Sequence, residues 1–232
     1  LNNGDSVSLK LRSIVGLIPM FAVEVVEHEL LEKLPNFRKR MDWILNNKPE
    51  LANLVSHLEV EGRGGKLLMS VLRKNRLTRV LNRMVDENEF LSDFGIRSMS
   101  KVYAENPYVF SVDGKDFTVK YTPAESDSSM FGGNSNWRGP IWFPINFLIV
   151  ESLQRFFYYY GDNLQIEYPA KSGAMRNLDY VATDLSQRLY SIFKSDEKGN
   201  RAFNGGNDLL NHNEFFKNYI MFHEYFNGDT GK

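Results

Sequence analysis

Cysteine is absent from the 232 residues, so disulfides and thiolate metal sites are excluded. An excess of one charge is also lacking. The 28 Lys and Arg residues stand against 29 Asp and Glu, and no chain-wide basic field exists to hold nucleic acid or an anionic membrane. Long apolar runs are missing as well: the longest uncharged apolar run, Ile14 to Val23, is about half of the roughly 18–20 residues a bilayer span needs. Histidine is scarce, with four residues and none paired at ligand spacing, so no metal site is expected. No Walker loop, strand–GxGxxG–helix unit or G-x-S-x-G elbow occurs, and no cofactor is expected.

What is present is an ordinary globular balance, 42% apolar and 25% charged, with an unusual 13% of aromatic residues. The interior or a cleft should therefore be rich in rings. His28-Glu29-Leu30-Leu31-Glu32 has Glu where the second imidazole of a zinc-binding helix must stand. Arg38-Lys39-Arg40 reads as a solvated helix face. The chain starts Leu1-Asn2-Asn3-Gly4, without Met or a signal-peptide pattern, and stops in the turn-like Asp229-Thr230-Gly231-Lys232. Both ends read as cuts, so residues 1–232 are expected to form one partial domain of a longer protein. The lack of Cys and of N-glycosylation sequons fits a cytoplasmic setting.

The hydrophobic spacing predicts six or seven helices. One lies around or beyond Pro19, with Phe21, Val25, Val26, Leu30 and Leu34 on a stripe. Pro35 and Pro49 are placed to open two more, with faces Phe37, Met41, Ile44, Leu45 and Leu51, Leu54, Val55, Leu58. Arg76 to Val85 and Asn177 to Lys194 are amphipathic, while Pro144 to Tyr160 is apolar almost all round and should bury both faces. Tyr108 to Thr122, with Asp113-Gly114 at its centre, is the best hairpin signal. Glu125 to Arg138 should be a long, functional loop, because loops of that length are uncommon inside compact domains.

Three segments place planar, polar and charged groups where a core does not need them. They are Gly95-Ile96-Arg97-Ser98-Met99-Ser100, Gly132 to Trp142, and Phe222-His223-Glu224-Tyr225-Phe226. A sugar ring offers a faintly apolar face that stacks on indole or phenol, and a fringe of hydroxyls that suits fork-shaped donors and carboxylates. Trp137 and Trp142 supply rings, Arg97 and Arg138 supply forks, and Glu224 among aromatic residues is the acid/base candidate. The same residues also fit a structural reading, with Arg138 satisfying carbonyls at a helix end and Trp142 in the core.

Asn136-Trp137-Arg138-Gly139-Pro140-Ile141-Trp142, followed by a helix from near Pro144, resembles the hallmark segment of glycoside hydrolase family 63, the processing α-glucosidases and their bacterial relatives. Gly95 to Ser100, Arg12 to Pro19, and Glu224-Tyr225 with Thr230-Gly231 resemble further segments of that family. The resemblance implies an all-α fold, here an incomplete (α/α)6 barrel with one β-hairpin insertion. It also implies inverting hydrolysis of an α-glucosidic bond without cofactor. Glu224 would be the general base, Trp137, Arg138, Trp142 and Tyr225 would line the sugar subsite, and Arg97 would stand in a neighbouring loop. The partners would be a carbohydrate substrate and the remainder of the chain's own barrel, with neither nucleic acid nor membrane. The family's acid, an Asp, should lie N-terminal to these motifs; Asp127 is the in-chain substitute. A carbohydrate-binding or inactive relative is the alternative, and a protein-binding helical scaffold a third.

Overall fold

The computed structural model describes residues 4, 6–52, 60–124 and 137–232. Helical segments take up 44% of them. The α-helices are α1 His28–Lys33, α2 Pro35–Asn47, α3 Pro49–Ala52, α4 Lys74–Met84, α5 Phe143–Tyr160, α6 Leu178–Ser191 and α7 Asp208–His212. The strands are β1 Val23–Val26, β2 Leu67–Ser70, β3 Leu91–Ser92, β4 Gly95–Ile96, β5 Tyr108–Val112, β6 Lys115–Val119, β7 Ile141–Trp142, β8 Gln165–Glu167, β9 Met175–Asn177 and β10 Tyr225–Phe226. They pair as antiparallel ribbons: β1 with β2, β3 with β4, β5 with β6, β8 with β9 and β7 with β10. Among the described residues no helix is long and apolar enough to cross a membrane.

The chain divides into two compact units, one of Leu1–Gly16, Met84–Asn146 and Leu185–Lys232, the other of Leu17–Arg83 and Phe147–Asp184. Every site residue inferred from the sequence belongs to the first. Two clusters stand out in its core among the described residues. One is Met99, Tyr103, Val119 and Tyr121, flanked by Leu11, Val102 and Tyr108. The other is Ile192, Phe203 and Phe226, flanked by Phe94, Phe143 and Phe193. In the second unit Val26, Leu31 and Leu67 pack with Met41 and Met69.

The expected hairpin forms with Asp113 and Gly114 at φ 51° and 72°, the mirror-image turn that matches strand twist. It is one of five ribbons among the described residues, which corrects the expectation of a single one. The helix expected after Pro19 is also absent. In its place a 3-10 run Ile14–Phe21 leads into β1, and α1 follows. Val23, Val25 and Val26 are stiff at χ1 and favour an extended backbone, and β2 lies opposite them in register. Helical spacing in one segment gives no sign of a partner strand more than forty residues away. On α5 the expectation of burial on both faces fails: Asn146, Ile149, Leu153 and Phe156 are buried, whereas Phe147, Leu148 and Tyr158 are exposed. Met41 packs inward from α2 as expected, but Phe37 and Ile44 are exposed. The expected face of Leu54, Val55 and Leu58, the segment 132–136 and Asp127 lie outside the described residues.

Candidate active site

The site is built on a ribbon with two residues in each strand. Tyr225 lies opposite Trp142 and Phe226 opposite Ile141, and the Phe143 N–H donates to the Glu224 carbonyl at 2.9 Å. Side chains alternate along strands, so the two pairs point to opposite faces. Ile141 and Phe226 are both buried, Phe226 in the phenylalanine cluster. Trp142 and Tyr225, half-buried, form an aromatic row with Trp137. The two indoles stack with centroids 4.5 Å apart and planes 8° off parallel, and Tyr225 sits 5.3 Å from Trp142, tilted 34°. Trp142 is the middle ring, and Trp137 at 36% exposure is the outermost. Glu224 precedes Tyr225 directly and is exposed, not enclosed by its aromatic neighbours. The sequence-predicted Trp137, Trp142, Glu224 and Tyr225 therefore share one locality.

The loop carrying Arg97 is fastened to the same place by two buried polar side chains. Asn146, at the start of α5, accepts from the Ile96 N–H at 2.7 Å and donates to the Ile96 and Trp142 carbonyls at 3.0 and 2.9 Å. Ser98 accepts from the Gly139 N–H at 3.0 Å through its hydroxyl, while its own N–H donates to the Pro140 carbonyl at 3.0 Å. Both residues are at most 1% exposed, and each satisfies several backbone groups that burial would otherwise leave unpaired. The Arg12 to Pro19 segment joins through Ser13, bridged to Met99, and through the Ile14 N–H, which donates to the Ser98 carbonyl at 2.8 Å. A Cβ on Gly139 would lie 2.3 Å from the Thr122 carbonyl oxygen, and one on Gly228 2.5 Å from the Gly139 oxygen. Glycine at these two positions is what lets the backbones touch.

Neither arginine lies on the surface. Arg138 is 2% exposed, and its carbonyl accepts from the Thr122 N–H at 2.8 Å. Arg97 is 5% exposed; its guanidinium donates to the Leu91 carbonyl, to the Glu87 carbonyl at 3.3 Å and to the Tyr121 hydroxyl at 3.2 Å. Asp229 closes this cluster. It accepts from the Tyr121 hydroxyl at 2.9 Å and lies 3.5 Å from both Arg97 and Lys101. Burial pushes the Tyr121 phenol well up; Arg97 opposes this and Asp229 adds to it, so the phenol stays a neutral donor. Sequence reasoning did not single out Asn146, Ser98, Tyr121 or Asp229. For Tyr121 a usable signal exists, since Val119 and Tyr121 alternate onto the buried side of one extended segment.

Residues 66–205 match the glycosyl hydrolase family 63 C-terminal domain. The chain belongs to glycoside hydrolase family 63. The matched stretch contains Arg97, Trp137, Arg138 and Trp142, and the β7–β10 ribbon ties it to Glu224 and Tyr225, which follow it. The chain is also 47% identical over 233 residues to "Uncharacterized protein YMR196W" of Saccharomyces cerevisiae. That alignment covers 99% of this chain and 21% of the yeast protein, so the chain spans about a fifth of the length of the curated relative it matches.

Proposed function

We propose that this chain is part of the catalytic domain of an inverting α-glucosidase-like hydrolase, an (α/α)6 barrel segment acting on oligosaccharides or small glucosides. The observation that supports the reading is the β7–β10 ribbon, because it brings the exposed Glu224, which directly precedes Tyr225, into the same locality as a row of three aromatic rings. In this reading the apolar face of a glucose unit stacks on the row from the Trp137 side. In the same reading Arg97 and Arg138, both buried, support the subsite from within the protein. Glu224 is open to solvent, which suits a base that must take a proton from water. The water oxygen attacks the anomeric carbon opposite the leaving oxygen, its proton passes to Glu224, and the C–O bond to the aglycone breaks. A second carboxyl, about 6.5–9.5 Å from the first in inverting enzymes, protonates the departing oxygen. The family resemblance puts that Asp N-terminal to these motifs, so only the base is assigned here.

Replacement of Glu224 by Gln in the intact protein tests the assignment. Hydrolysis of p-nitrophenyl α-glucoside and of gluco-oligosaccharides should fall about 10²–10⁴-fold. The exposed site should leave the thermal midpoint unchanged. Product NMR on the wild type should show β-glucose released first. Wild-type turnover in Glu224→Gln removes Glu224 from the mechanism, and α-glucose as first product removes inversion.

A further inference from the structure

The β7–β10 ladder is two residues long on each side, too short to fix a strand by itself. The turn that follows β10 supplies the missing restraint. Asn227 accepts from the N–H groups of Asp229 and Thr230 at 2.9 and 3.0 Å, which folds the turn and presents Asp229. The Gly228 N–H donates to the Pro123 carbonyl at 2.7 Å, two residues beyond Tyr121. The Asp229 carboxylate then meets the Tyr121 hydroxyl, Arg97 and Lys101. Arg97 is anchored to carbonyls of the 87–91 loop, so this contact leads into buried, fixed structure. We infer that Asp229, received by Tyr121 and Arg97, is a positioning residue that sets where the Glu224 strand lies against the aromatic row. The inference rests on the hydrolase reading for its catalytic consequence, though not for its structural one.

The geometry separates this from general stabilisation. The Asp229 side chain is one-third exposed, and its partners converge on a single carboxylate oxygen. An Asn at this position keeps an oxygen for the phenol and the guanidinium, whereas Ala removes it. Small displacements of a reacting group cost much in rate and little in binding, because orientation is realised in the transition state.

Two measurements test the latch. In the intact protein, amide hydrogen exchange at Phe143 and at Tyr225–Phe226 should speed up about tenfold in Asp229→Ala and stay within about threefold of wild type in Asp229→Asn. The β5–β6 hairpin and α4 should keep their protection. Tyr121→Phe, which keeps the ring and removes the hydroxyl, should loosen the same amides and serves if the alanine variant fails to fold. In the intact protein, kcat on p-nitrophenyl α-glucoside should drop about 10–100-fold in Asp229→Ala with KM within about twofold, and Asp229→Asn should recover most of it. Unchanged exchange in both Asp229→Ala and Tyr121→Phe overturns the latch, as does equal loss of kcat in the Ala and Asn variants. A wild type that hydrolyses no glucoside while these amides still respond defeats the hydrolase reading and leaves the latch standing.

Discussion

The two faces of the β7–β10 ribbon differ by one residue of register and by everything else. Ile141 and Phe226 point to one side and are at most 1% exposed, and Phe226 meets its neighbouring rings edge to face: it lies 5.4 Å from Phe193 at 87° and 6.1 Å from Phe143 at 68°. Trp142 and Tyr225 point to the other side, where the indoles stack nearly parallel and the outermost ring meets water. Edge-to-face packing fills volume, since each ring puts its positive rim on a neighbour's negative face. Parallel stacking instead lines up flat surfaces and leaves an end ring available. One short ribbon thus carries a core on one side and a platform on the other, and the alternation of strand side chains is sufficient to sort them.

The sharpest way to break this contrast is to empty each side in turn. Phe226→Ala should destabilise the chain by about 3–5 kcal/mol, through lost burial and a cavity among Ile192, Phe203 and Phe143. Urea unfolding followed by circular dichroism reads it directly. Trp137→Ala should cost no more than about 1 kcal/mol of stability, because the ring is one-third exposed and loses one stacking partner. On the proposed function it should nonetheless weaken glucose binding roughly five- to tenfold by calorimetric titration of the intact protein. Equal stability losses in the two variants would mean that the platform is core after all. Unchanged glucose affinity in Trp137→Ala would remove that ring from the subsite.

Much of this organisation is legible in the sequence, for reasons that differ by residue. The Asp113-Gly114 turn, the Pro35 and Pro49 helix starts and the amphipathic α4 and α6 follow from local chemistry, which acts over a few residues. Trp137, Trp142 and Glu224 are visible as residue types that a core does not require, and a shared family pattern adds their grouping. What sequence spacing misses is pairing at a distance. Val23–Val26 reads as helix because its partner β2 begins forty residues later. Asn146 reads as one more helix residue, although it joins Ile96 to Trp142. The burial of Arg97 and Arg138 is likewise hidden, since a guanidinium meets buried carbonyls and ligand oxygens with the same donors.

A smaller prediction sharpens the contrast by acting on one face alone. The phenylalanine side is backed by the Ala202–Asn204 turn, in which Phe203 packs on Phe193. Asn211 of α7 holds that turn, accepting from the Arg201 N–H at 3.2 Å and from the Asn204 side chain at 2.7 Å. His212 clamps α7 in its turn, with one ring nitrogen 2.8 Å from Asp208 and the other 3.1 Å from the Lys198 carbonyl. The Asp208 hydrogen bond, then the Lys198 carbonyl, raise the imidazole above its ordinary value of 6.5, with the Asp208 and Asp196 charges adding to this. A group raised on folding stabilises the native state fully below its unfolded pKa and ceases to do so as pH climbs through the folded one. The thermal midpoint of the wild type should therefore fall between pH 6 and pH 8 relative to His212→Gln. The site is exposed, so the difference should be about a degree. The tryptophan emission of the two proteins should not diverge over that interval, because Trp137 and Trp142 lie on the other face. Divergence would show that the two sides of the ribbon move together, and the separation drawn from their packing would fail.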